Sequence, residues 1–172
     1  MPEYADIYAL YRRRNRASID AFLKSFMPAR DEVADEYWIP PYSPAPTMVI
    51  RSASELLDYC CEHPEQEHRV YWQSHEGVRP EHGMVYFHSD GSMVLGLSTD
   101  SADQDFVDVL CRGLGSVDGV VASYITHEDL PPDTADGFVA LVESLPVVDS
   151  GVDQTVIRSG RARRLATNPI HQ

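Results

Sequence analysis

Cys60, Cys61, His63 and His68, followed by His75, His82 and His88, are the side chains whose types suit a metal centre, because thiolate and imidazole ligate zinc. Their spacing does not suit one. No HExxH and no paired CxxC occurs, and His75-Glu76 lacks a second histidine. Cys60 falls on a helical apolar stripe, and His82 and His88 take alternate strand positions beside Tyr86, so these histidines read as structural. Nucleophilic chemistry fares no better. Cys111 lies on the core face of a helix, where a thiol behaves as a small inert hydrophobe, and no GxSxG occurs. The glycines of RGLGSVDG (112–119) follow a helix instead of joining a strand to one, which is the wrong order for a phosphate-cradling turn. Carboxylate pairs abound among 27 acidic residues, and none is singled out. No metal, no cofactor and no enzymatic activity are expected.

One segment stands apart in composition. RDEVADEYWIPPYSPAP (30–46) sets Asp31, Glu32, Asp35 and Glu36 before Tyr37, Trp38 and Tyr42, among four prolines. Proline density excludes a helix or central strand. Aromatic anchors beside carboxylates suit protein recognition: the rings bury area at low entropy cost and the acids pair with basic groups. These seven residues are the candidate partner-binding set; the bland alternative is that Trp38 and Tyr42 pack on the protein's own sheet.

The charge distribution supports a protein partner. The net charge is −13, but residues 1–30 hold six basic and three acidic side chains, and residues 151–172 hold four and one. The intervening 31–150 carry only Arg51, Arg69, Arg79 and Arg112 as basic residues against 23 acids. Such a body repels nucleic acid and anionic membrane and steers basic proteins toward it. The clusters Arg12 to Arg16 and Arg158 to Arg164 read as internal salt bridges or solvated faces. Three cysteines form no disulfide framework, and neither a leader pattern nor an apolar run of membrane-spanning length occurs, so a cytoplasmic location is expected.

The elements that would position these residues follow from periodicity. Residues 3–27 show three- and four-residue apolar spacing, predicting one helix or two meeting at Asn15. TMVIR (47–51) predicts a strand, Ser52-Ala-Ser-Glu55 a capping box opening a helix to Glu62, and HRVYWQS (68–74) a strand. GMVYFHSDGSMVLGLS (83–98) is the strongest local signal, two apolar runs around Asp90-Gly91. Placing Ser89 opposite Ser92 sets Phe87 against Val94, Tyr86 against Leu95, Val85 against Gly96 and Met84 against Leu97. A helix from Ser101 to Gly113 or Gly115, a strand at 120–126 and a short helix with Phe138, Leu141, Val142 and Leu145 on one side complete the chain. The expectation is a single α+β domain over 1–146, order αβαβββαβα, with a central, mostly antiparallel sheet, a β-hairpin at 83–98 and flanking helices. Residues 147–172 are expected to form a basic, mobile tail.

DIYALYRRRNRASIDAFLKSFM, EYWIPPY, SASELLDYC, HRVYWQS and MVYFHSDGSMVLGLS together resemble, in layout and texture, the small cytosolic immunity proteins encoded beside bacterial polymorphic and contact-dependent toxins. The likeness covers residues 4 to about 146. It implies an acidic, non-enzymatic α+β protein that binds a cognate toxin domain tightly and covers its active site. Members use different residues, so no site residue transfers by position, and a nuclease, deaminase or ADP-ribosyltransferase target is equally compatible. Two other readings remain open from the residues: a small-ligand or enzyme domain with a pocket beside the hairpin near Trp72, His82, Tyr86 and His88, and an adaptor in a larger assembly.

Overall fold

The structure, a computed structural model, describes residues 3–148 and 162–166. Its elements run β1 (Tyr4–Tyr11), α1 (Arg16–Phe26), β2 (Arg30–Glu32), β3 (Tyr37–Ile39), β4 (Met48–Ile50), α2 (Ala53–Glu62), β5 (His68–Ser74), β6 (His82–Phe87) and β7 (Met93–Asp100). They continue as α3 (Gln104–Gly115), β8 (Ala122–Thr126), α4 (Ala135–Ser144), β9 (Val147–Val148) and β10 (Arg164–Leu165). A six-stranded sheet in the order β2-β5-β6-β7-β1-β8 is antiparallel throughout, and β3–β4 and β9–β10 form separate two-stranded ribbons. This is the expected α+β architecture with its antiparallel sheet and flanking helices.

The start of the chain differs from the helical expectation. Tyr4–Tyr11 is a strand between β7 and β8, and only Arg16–Phe26 is helical. Ala5, Ile7 and Ala9 enter one hydrophobic layer while Tyr8 and Leu10 enter the other. A strand covered twice carries apolar residues on both faces, as Ala5 and Ile7–Tyr11 do here, so its period-2 signature vanishes and the i,i+3 spacings are coincidental. Asn15 does cap α1, its side chain accepting from the Ser18 N–H at 3.1 Å.

The apolar faces of α1, α2 and α3 pack on one side of the sheet around Phe22, Leu56, Leu110, Val85 and Leu95. Phe138 and Val142 of α4 pack on the other, over Tyr8, Tyr86, Val94 and Tyr124. On that second side Tyr8 lies flat against Gly96, where a Cβ would meet two of its ring carbons at 2.9 Å. The hairpin register also departs from expectation by one residue: Phe87 pairs with Met93, Tyr86 with Val94 and Val85 with Leu95. The loop is Ser89-Asp90-Gly91, with Gly91 at φ +84 and its N–H bonded to the His88 carbonyl at 3.0 Å. A three-residue loop closing on a left-handed glycine competes with the two-residue turn that Asp-Gly suggests, and here it prevails.

Part of the stretch expected to be a tail joins the domain. Arg163 is 1% exposed, with its guanidinium on Asp108 at 3.0 Å and Gln104 at 2.9 Å, and its backbone exchanges two hydrogen bonds with Ile125. The remainder of the expected mobile tail, 149–161 and 167–172, lies outside the described residues.

Candidate partner-binding surface

The seven acidic and aromatic candidates separate into two groups. In the β3–β4 ribbon Tyr37 pairs with Ile50 and Trp38 with Val49, and strand alternation sends the first pair inward and the second outward. Tyr37 is 5% exposed, edge-on to the His68 ring at 5.9 Å, and burial raises the pKa of its hydroxyl. Glu32 lies near it. Its Oε2 accepts the Ala53 N–H at 2.8 Å, satisfying a free donor in the first turn of α2, and lies 3.4 Å from the Tyr37 hydroxyl. Tyr37 and Glu32 are therefore engaged by the fold. Trp38 is 39% exposed and donates its Nε1–H to Glu36 at 2.7 Å, which fixes the indole. Tyr42 is 81% exposed with φ +60, a left-handed backbone that costs a non-glycine residue roughly 1 kcal/mol. Asp31, on the edge strand β2, faces His75 at 3.4 Å; Asp35 is exposed. Val33 and Glu36 line one cleft with Trp38 and Tyr42, and the exposed Val49 lies across the strand pair from Trp38, so these outward groups adjoin; Asp31, Asp35 and Met48 are exposed as well.

Tyr42 also divides two adjoining clefts. One, of about 370 Å³, is formed by Val33, Trp38, Tyr42 and Tyr71 with Glu36 at its edge. The other, of about 390 Å³, brings Tyr42 together with Glu67, Tyr86, His88, Leu130 and Asp133. Pro41, Tyr42, His68 and Arg69 belong to both. The pocket expected beside the hairpin is thus present in part: Tyr86 and His88 line it, whereas Trp72 is buried in the opposite layer and His82 packs against the Tyr4 ring at 5.8 Å.

Other candidate chemistry is occupied by the fold. Burial pushes the Cys60 and Cys111 thiols up, each to about 12, so neither is a ready thiolate. His63 stacks on Tyr59 at 4.1 Å and contacts its carbonyl. The Arg69 N–H donates to His68 Nδ1, which leaves the Nε2–H of His68 to donate to the Trp38 carbonyl at 3.0 Å. Arg14 donates to the carbonyls of Cys60, His63, Gln66 and His88 at 2.6–2.8 Å and lies over the Phe87 ring at 5.0 Å. Arg16 bridges Asp20 and Asp58. The N-terminal arginine cluster is largely internal stitching, as its bland reading held. Among the described residues no group of three or more His, Cys, Asp or Glu is placed to hold a metal ion, and no helix is long and apolar enough to cross a membrane.

Glu67, Leu130 and Asp133 were not legible as site residues, because they come from two loops, one before β5 and one after β8, that only folding brings to Tyr42. The one sequence signal was DLPPD (129–133), whose prolines mark a rigid loop after β8. No family model, curated protein or solved structure matches the chain.

Proposed function

We propose that the protein neutralises a cognate bacterial toxin domain as an immunity protein, binding it tightly through the surface around residues 31–42 and covering its active site. The observation that carries this reading is the exposed Val33, Trp38 and Tyr42 gathered with Glu36 at one cleft, Val49 paired with Trp38, and Asp31 and Asp35 exposed on the same segment. Rings held at fixed angles lose little entropy on docking, and Trp38 is already held by Glu36. The net charge of −13 favours encounter with a toxin whose active site is basic because its substrate is anionic. Nothing in this reading requires a cofactor, a nucleic acid or a membrane.

The test is co-purification with the toxin domain encoded beside this gene, at low and at high salt. A complex whose association slows at high salt, and which inhibits the toxin, is the expected result. A gene with no toxin neighbour, or no complex at either salt, sinks the reading. The two clefts beside Tyr42 favour a second reading, a small-ligand pocket. Saturable binding of a metabolite there in the absence of any toxin complex would replace the first.

A further inference from the structure

We infer that the cleft between Tyr42 and Asp133 receives a basic side chain of the partner, an arginine guanidinium before all, an inference that rests on the toxin-binding reading. The hydrogen-bond chain behind His88 carries it. Asp90 accepts the Ser92 N–H at 2.9 Å and the Ala135 N–H at 2.7 Å. Burial acts to raise its pKa, but the hydrogen bonds from Ser92 and Ala135 outweigh burial, and the carboxyl sits below its usual range. An ionised carboxylate only accepts. The Ser92 hydroxyl, in contact with Asp90 Oδ1, must therefore donate to it, and its oxygen is left to accept from His88 Nδ1 at 3.2 Å. That fixes the proton on Nδ1 and makes Nε2 a bare acceptor.

His88 is 6% exposed, its ring kept neutral by burial, and Nε2 has no hydrogen-bond partner among the described residues. The open volume at His88 is the 390 Å³ cleft. Glu67 and Asp133 line the same cleft, both act electrostatically on His88, and neither has an ion-pair partner among the described residues. Arg69 stands on the wall shared with the second cleft, where Tyr71 also lies. Two carboxylates without an ion-pair partner and a lone pair outnumber Arg69 as the cation on the wall, so the site is rich in acceptors, and guanidinium carries five donors and no acceptor. Tyr42 and Tyr86 line the same cleft, and aromatic rings are compatible with a bound cation.

The experiment is a two-dimensional NMR titration of the full chain with N-acetyl-arginine amide and, in parallel, its neutral isostere N-acetyl-citrulline amide. Arginine amide is expected to shift the Arg69, His88 and Leu130 signals saturably, with roughly tenfold higher affinity than the citrulline compound. Combining Glu67→Gln with Asp133→Asn, both exposed, should bring arginine amide down to the citrulline level while thermal unfolding stays unchanged. Equal shifts from both compounds, no shift at the cleft, or full arginine binding by the double variant would overturn the inference. If the toxin complex forms but the probe does not bind, this inference alone fails. If the probe binds as expected and no toxin complex forms, the toxin reading fails and the site for a basic group stands.

Discussion

Asp90 joins the hairpin loop to a distant helix, with Oδ1 on Ser92 and Oδ2 on the Ala135 N–H in the first turn of α4. The Asp-Gly pair was read as a turn, and that role holds; the second, as a cap supplied from another element, was invisible because 45 residues separate the partners. Asp90→Ala should destabilise the protein by about 1–2 kcal/mol, measured by urea unfolding, through loss of both contacts. Its folded pKa is depressed, so the stability it contributes is fully present above the unfolded value, about 3.9, and is lost as pH falls through the folded one. The variant and parent should thus differ at pH 7 and converge in strong acid; a gap that persists there would show that its carboxylate is not the source. The other histidines teach the same point at this scale. Their types suggested metal or proton chemistry, yet the His63 ring meets the Tyr59 carbonyl one helical turn back and the His68 ring meets the Arg69 N–H beside it, while the Trp38 carbonyl on the other side of His68 is supplied by tertiary contact.

Among elements, the ribbon and the edge strand sort the acidic segment by function. Reversing Asp31, Asp35 and Glu36 together to lysine should leave urea-unfolding stability within about 1 kcal/mol, since exposed charges seldom contribute more than ~0.5 kcal/mol each. Adding Glu32→Lys should cost a further ~1 kcal/mol, because it removes the acceptor for α2 and sets a positive charge at a helix N-terminus. Binding of the cognate toxin should already be lost, or slowed severely, in the triple variant. If the triple variant protects cells as the parent does, the segment is not the interface. A second prediction concerns the sheet: Gly96→Ala places a methyl 2.9 Å from the Tyr8 ring and 3.2 Å from Met84 Cε, and should lower stability by about 1–3 kcal/mol in thermal or urea unfolding. The capping box at Ser52, the 68–74 strand and the hairpin were legible because each is written in consecutive residues. Register within the hairpin was not, since two turn geometries serve one Asp-Gly and cross-strand packing decides between them.

Across the whole molecule, Arg163 draws a distant part of the chain onto α3 and β8. Arg163→Ala leaves Asp108, whose side chain is 11% exposed, without its cation, and should cost about 3 kcal/mol in urea unfolding. Replacing both, Arg163→Met with Asp108→Leu, should recover most of that loss; equal losses in the two would mean that the charge pair is not what holds the segment. Composition gave this residue to a basic tail because burial of an arginine depends on a carboxylate 55 positions away. The sequence by itself determined the α+β class, the locally coded elements and the excess of negative charge, since these rest on composition and on neighbours within one turn or strand. Only the tertiary structure decided that Tyr4–Tyr11 is a strand within the sheet, that Tyr37 faces inward while Trp38 and Tyr42 face out, that Glu32 caps α2, and that Glu67, His88 and Asp133 meet at one cleft. Those outcomes depend on which face of a strand finds cover and which loops converge, and such long-range contacts leave no period in the chain.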